Sequence, residues 1–151
     1  MTDPVRILIV DDDESVRKTF SIILEANGYV VDTAESGKEA IEKSNKAFYN
    51  VALIDIRLPD MEGTKLLTAM KDTMPKMVKI IVTGYPALQN AVEAVNNGAN
   101  AYVLKPPKMN DLLATIKEQI RKQREERSFS EEKIASFIQQ RIREIENEKD
   151  A

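Results

Sequence analysis

Strand-like and helix-like segments alternate strictly along this chain. They predict an α/β fold: a doubly wound five-stranded parallel sheet of order 2-1-3-4-5 (flavodoxin-like), with a C-terminal helical extension. Three observations carry that prediction. Short apolar runs recur at residues 7–10, 29–34, 51–54, 78–82 and 101–104, and each is followed by apolar residues at helical spacing. The run at 51–54 is apolar at every position, as a strand covered on both faces requires. Right-handed crossovers then leave few ways to wind five such units.

Taken in order, residues 7–10 end on Asp11-Asp12-Asp13. Val16, Phe20, Ile23 and Leu24 then share one helical face, with Asp13 or Ser15 as its cap and Asn27-Gly28 as its stop. Residues 29–34 alternate more and include Asp32, which suits a strand near the sheet edge. Ser36 with Glu39 has capping-box spacing, and Ala40, Ile41, Ala47 and Phe48 continue the second helix. After the central strand, Leu66, Leu67 and Met70 mark a third helix closed by Pro75. The fourth strand ends on Thr83-Gly84, and Leu88, Ala91, Val92 and Val95 lie on a fourth helix ended by Asn97-Gly98. The fifth strand ends on Lys105-Pro106-Pro107. A fifth helix starts near Asn110, with Leu112, Leu113, Ile116 and Ile120 inward.

Composition narrows the chemistry. The 151 residues are 42% hydrophobic and 31% charged, with net charge −3, so no basic footprint points to nucleic acid or an anionic membrane. No apolar run is long enough to span a bilayer, and no signal-peptide core is visible; a cytoplasmic location is expected. With neither cysteine nor histidine, a metal must be held by oxygen.

The predicted strand order makes the first and third strands neighbours, with the topological switch between them. Asp11, Asp12 and Asp55 therefore converge on one crevice, and Thr83 and Lys105 fall on the same rim. Crowded carboxylates repel unless a hard cation sits among them, and oxygen ligation with few protein ligands suits Mg²⁺, with Mn²⁺ a substitute. A lysine, a threonine hydroxyl and such a metal form a cradle for a tetrahedral dianion, and Asp55 can act as a nucleophile that forms an acyl phosphate. Residue by residue, plainer roles stay open: a capping Asp55, a solvated helix start at 11–13, a solvent-exposed Lys105.

The segments Ile7-Leu8-Ile9-Val10-Asp11-Asp12, Leu53-Ile54-Asp55, Leu58-Pro59-Asp60-Met61-Glu62-Gly63, Thr83-Gly84 and Tyr102-Val103-Leu104-Lys105-Pro106 closely resemble the response regulator receiver domain of two-component phosphorelay signalling. The resemblance spans roughly residues 4–122. It implies Asp55 as the phosphoacceptor, served by a sensor histidine kinase or phosphotransfer protein. Asp12 is implied as a direct Mg²⁺ ligand, Asp11 as its water-mediated partner, and the backbone carbonyl of Arg57 as a main-chain ligand. Lys105 is implied to pair with the phosphoryl oxygens, with a cis bond to Pro106, and Thr83 and Tyr102 to form a switch pair. Bulky Arg57 and Tyr85 are expected to slow self-dephosphorylation. Such a protein is a signalling switch rather than an enzyme acting on an external substrate.

The resemblance divides the chain into a receiver (residues 1–125) and a helical extension (126–151) with no separate effector domain. Ser128-Phe129-Ser130-Glu131 offers a capping box, which predicts that the fifth helix ends and a new one begins there. Ile134, Phe137, Ile138, Ile142 and Ile145 then form an apolar stripe that calls for a partner. The expected output is a downstream protein or a self-dimer, through the face of the fourth helix, fifth strand and fifth helix or through the C-terminal helix. No direct contact with nucleic acid or membrane is expected. Alternatives are a phosphorylation-independent docking module or the receiver fragment of a longer regulator. A flavin binder is disfavoured by the acidic loop after the first strand. A hydrolase with an Asp nucleophile is disfavoured because Arg57 stands where a second carboxylate would be needed.

Overall fold

The apolar runs become β1 (Arg6–Val10), β2 (Val30–Ala34), β3 (Val51–Ile54), β4 (Val78–Thr83) and β5 (Ala101–Leu104), all parallel, in the order β2-β1-β3-β4-β5. The computed structural model describes residues 4–84 and 87–150. Helices α1 (Glu14–Ala26), α2 (Gly37–Lys46), α3 (Gly63–Ala69), α4 (Leu88–Asn96) and α5 (Met109–Asp150) complete it.

Successive strand residues point to opposite faces, and the core divides accordingly. Leu8, Val10, Ala52, Ile54 and Ile81 pack with Ala40, Leu66, Leu67 and Ala94 from α2, α3 and α4. Ile7, Ile9, Leu53, Ile80 and Val82 pack with Phe20 and Leu24 of α1 and Leu112, Ile116 and Ile120 of α5. A fully buried aliphatic side chain is worth roughly 1.5–3 kcal/mol. An exposed ion pair such as Arg127–Glu131 is worth roughly 0.3–0.5 kcal/mol, so the two apolar layers dominate the stability.

Asp13 caps α1, accepting from Ser15 and Val16 at 2.8 and 3.3 Å, so the competing Ser15 cap is not used. Ser36 caps α2 as its spacing predicts. That helix stops at Lys46: Ala47 is already extended and Phe48 lies outside the helix. Helix α3 ends before the proline expected to close it, with Met70 extended and Pro75 following a cis bond from Met74.

The break expected at Ser128 does not occur. Helix α5 runs unbroken from Met109 to Asp150. A capping box competes with ordinary helical bonding, and between helix-favouring Arg, Glu and Lys the loss from two serines is only about 0.5 kcal/mol each. The last buried residue of α5 is Gln123, and from Arg124 to Lys149 every residue is exposed.

Candidate functional site

Strand pairing continues one residue beyond the ends of β1, β3 and β5, and these extra bonds set the site. The backbone N–H of Asp11 donates to Ala34, that of Asp55 to Val10, and that of Lys105 to Thr83, at 3.1, 2.9 and 2.8 Å. Asp11 and Asp55 thus stand side by side at the carboxyl ends of neighbouring strands, between β1 and β3, where the winding direction reverses.

Asp11, Asp12 and Asp55 each offer an oxygen within 4.8 Å of the others. The Lys105 ammonium lies 2.5 Å from Asp11 Oδ2 and 3.2 Å from Asp55 Oδ2, bridging the two buried members. Burial pushes the Asp55 carboxyl above its ordinary value; Lys105 opposes this and the Asp11 charge adds to it. Burial also works against the Lys105 ammonium, but hydrogen bonds and charge from Asp11 and Asp55 hold its pKa above the usual lysine value. An all-oxygen donor set that one lysine only partly compensates fits a hard divalent cation.

Thr83 is fully buried at the end of β4, with Leu104 beside it in register. Tyr102 is half-buried against the α2–α3–α4 layer, and burial raises its pKa. The Lys105–Pro106 bond is cis. Arg57 is exposed, and its N–H approaches Asp55 Oδ1 at 3.5 Å. Tyr85 lies outside the described residues. Gly63 closes the loop after Asp55: its N–H donates to Ile56 at 2.6 Å, and a Cβ there would sit 2.1 Å from the Asp55 carbonyl oxygen.

Two supporting residues have no signal in sequence periodicity. Arg17 donates to the Asp11 carbonyl at 2.7 Å and reaches Glu35, clamping the end of β1. Asp60 accepts from the backbone of Gly37 and Lys38, each at 2.9 Å, tying the loop after Asp55 to the start of α2. Asp60 stands three residues before α3, yet in space it serves the start of α2.

Fold and crevice together define a doubly wound α/β protein with a lysine-bridged acidic cluster at its topological switch. Comparison with known proteins narrows this further. The response regulator receiver domain matches residues 7–117, and the chain belongs to that family. A CheY-like receiver domain protein from Methanospirillum hungatei JF-1 superimposes with TM-score 0.78 at 47% identity, over 82% of this chain and 99% of that one. The beryllofluoride-activated NtrC4 receiver domain dimer gives 0.73 at 36% identity, over 78% and 98%. The transcriptional regulatory protein ZraR of Escherichia coli K12 is 35% identical over 114 residues, 76% of this chain but 26% of ZraR. The chain therefore spans between about a quarter and about half of the length of the curated regulators it matches.

Proposed function

We propose that the protein is a phosphorylation-controlled switch in which Asp55 accepts a phosphoryl group from a phosphohistidine on a sensor kinase or phosphotransfer protein. The observation that carries this reading is the Lys105 ammonium bridging Asp11 and Asp55 beside Asp12. An Asp55 carboxylate oxygen attacks phosphorus, the new O–P bond forms as the N–P bond breaks, and the imidazole leaves. An ionised carboxylate has no proton to lose, so no general base is needed. Asp11, Asp12 and Asp55, with the Arg57 main-chain carbonyl, would hold Mg²⁺ or Mn²⁺. Once bound, the ion supplies positive charge against the phosphoryl oxygens.

After transfer Lys105 pairs with the phosphoryl oxygens, and the Thr83 hydroxyl turns toward them. Tyr102 then moves inward, so that a local change of charge biases a bistable surface. That surface is α4–β5–α5, where Leu88 is 81% and Val95 68% exposed, an apolar patch suited to a downstream protein. The receiver occupies residues 1–125 and the extension 126–151. No helix among the described residues is long and apolar enough to cross a membrane, which fits a cytoplasmic switch.

Incubation with a small phosphodonor such as acetyl phosphate tests the reading. Mg²⁺-dependent labelling is expected, lost with chelator and with Asp55→Ala. Labelling that persists in Asp55→Ala would move the acceptor to another residue, and none in the parent chain would leave a docking module in place of a phosphoacceptor.

A further inference from the structure

The projecting part of α5 carries an apolar stripe that nothing in its own receiver covers: Ile134 is 55%, Ile138 51% and Phe137 70% exposed. Arg124, Glu131, Ile138 and Ile145 recur every seven residues, and so do Arg127, Ile134, Arg141 and Glu148, offset by three. That is the spacing of two rows meeting along a coiled-coil seam, here apolar at Ile134, Ile138 and Ile145 and charged at the other five positions. Phe137 and Ile142 border the seam and widen it.

We propose that this segment pairs with the same segment of a second copy, antiparallel, about a twofold axis near residue 136. The charges in the seam decide the direction. A parallel in-register pair would stack Arg124, Arg127, Glu131, Arg141 and Glu148 each on its own like. The antiparallel pair sets Arg124 against Glu148 of the other copy, Glu131 against Arg141, Arg127 against Ile145 and Ile134 against Ile138, with every contact repeated by symmetry. Opposite charges then meet wherever both facing residues are charged, the aliphatic stem of Arg127 covers Ile145, and the isoleucines meet at the centre. The overlap begins at Arg124, one residue beyond the last buried residue of α5. It runs roughly 37 Å at 1.5 Å per residue, and places the two receivers at opposite ends, clear of each other. The pairing does not depend on phosphoryl transfer at Asp55, so the two proposals fail separately.

The chain has no cysteine, so single-cysteine variants of the full chain report geometry directly. Sedimentation should show a concentration-dependent dimer, weakened about tenfold or more by Ile138→Glu, an exposed position whose change leaves the receiver core untouched. Arg141→Glu should weaken it, and Glu131→Arg combined with Arg141→Glu should restore it. On oxidation Ala135→Cys should cross-link with itself. Arg127→Cys and Ile145→Cys should cross-link when mixed and little when alone. A chain that stays monomeric, a dimer indifferent to Ile138→Glu, or Ile145→Cys cross-linking to itself as readily as to Arg127→Cys would overturn the proposal. The last outcome would mean a parallel pair, and indifference to Ile138→Glu a dimer through another face.

Discussion

The two ends of the sheet treat buried polar groups in opposite ways. At the carboxyl ends of the strands, two of three clustered carboxylates share one lysine, and burial pushes Asp55 away from its charged form. At the opposite end most polar groups are paired, although Arg6 Nε is buried with no hydrogen-bond partner. Gln123 Nε2 donates to the carbonyls of Asn50 and Lys76 at 3.0 and 2.8 Å, and its Oε1 accepts from Asn50 Nδ2 at 3.2 Å. Asn50 Oδ1 in turn accepts from the Arg6 N–H, while Tyr49 donates to Asp32 beneath the Arg6 guanidinium. One end is arranged for stability and the other holds unbalanced charge. Substitutions should therefore shift stability in opposite directions at the two ends.

The largest effect is expected at the matched end. Gln123→Ala opens a cavity and removes the partners of the Lys76 carbonyl and the Asn50 amide, and should cost about 2–3 kcal/mol in denaturant unfolding. A cost within error of zero would mean that α5 is held by its apolar face alone. Tyr49→Phe should cost about 1 kcal/mol by removing the 2.7 Å bond to Asp32. Its pH signature is specific. Burial and Asp32 push Tyr49 up to about 12, so between 10 and 12 the folded chain holds a proton that the unfolded chain releases. Wild-type stability should fall as pH rises through that window, and the Tyr49→Phe profile should be flatter. Parallel profiles would assign the alkaline loss to other groups.

The smallest effect has the opposite sign. With divalent cations chelated, Asp55→Asn should raise stability by roughly 0.5 kcal/mol at neutral pH, because it removes a charge that burial disfavours. The folded-state pKa of Asp55 is raised, so the folded chain binds the extra proton above 3.8, and the advantage of Asn should shrink as pH falls toward that value. Thermal melts across pH check this. A less stable Asp55→Asn at pH 7 would show that the Lys105 ion pair outweighs burial.

Much of this architecture was legible because a parallel sheet writes itself plainly. Strands covered on both faces read as unbroken apolar runs, and the 2-1-3-4-5 order follows from their alternation with helices. The proximity of Asp11, Asp12, Asp55 and Lys105 followed from that order, since each lies within two residues of a strand's carboxyl end. Arg17 and Asp60 were not legible, because their partners are backbone groups of other elements, and no spacing rule links Asp60 to Gly37 across 23 positions. The continuity of α5 was hidden for the reverse reason. A genuine local capping pattern at Ser128–Glu131 is outweighed by the helical bonding on either side of it.

The unbroken α5 also has a mechanical consequence. Its root lies against β1, β3 and β4 through Leu112, Ile116 and Ile120, and 27 residues from Arg124 to Asp150 stand beyond the last buried contact at Gln123. At 1.5 Å per residue that arm is roughly 40 Å long, so a tilt of about 5° at the root would swing its far end by roughly 3.5 Å. A displacement too small to expose a new surface on the receiver would therefore be large at the far end of the helix.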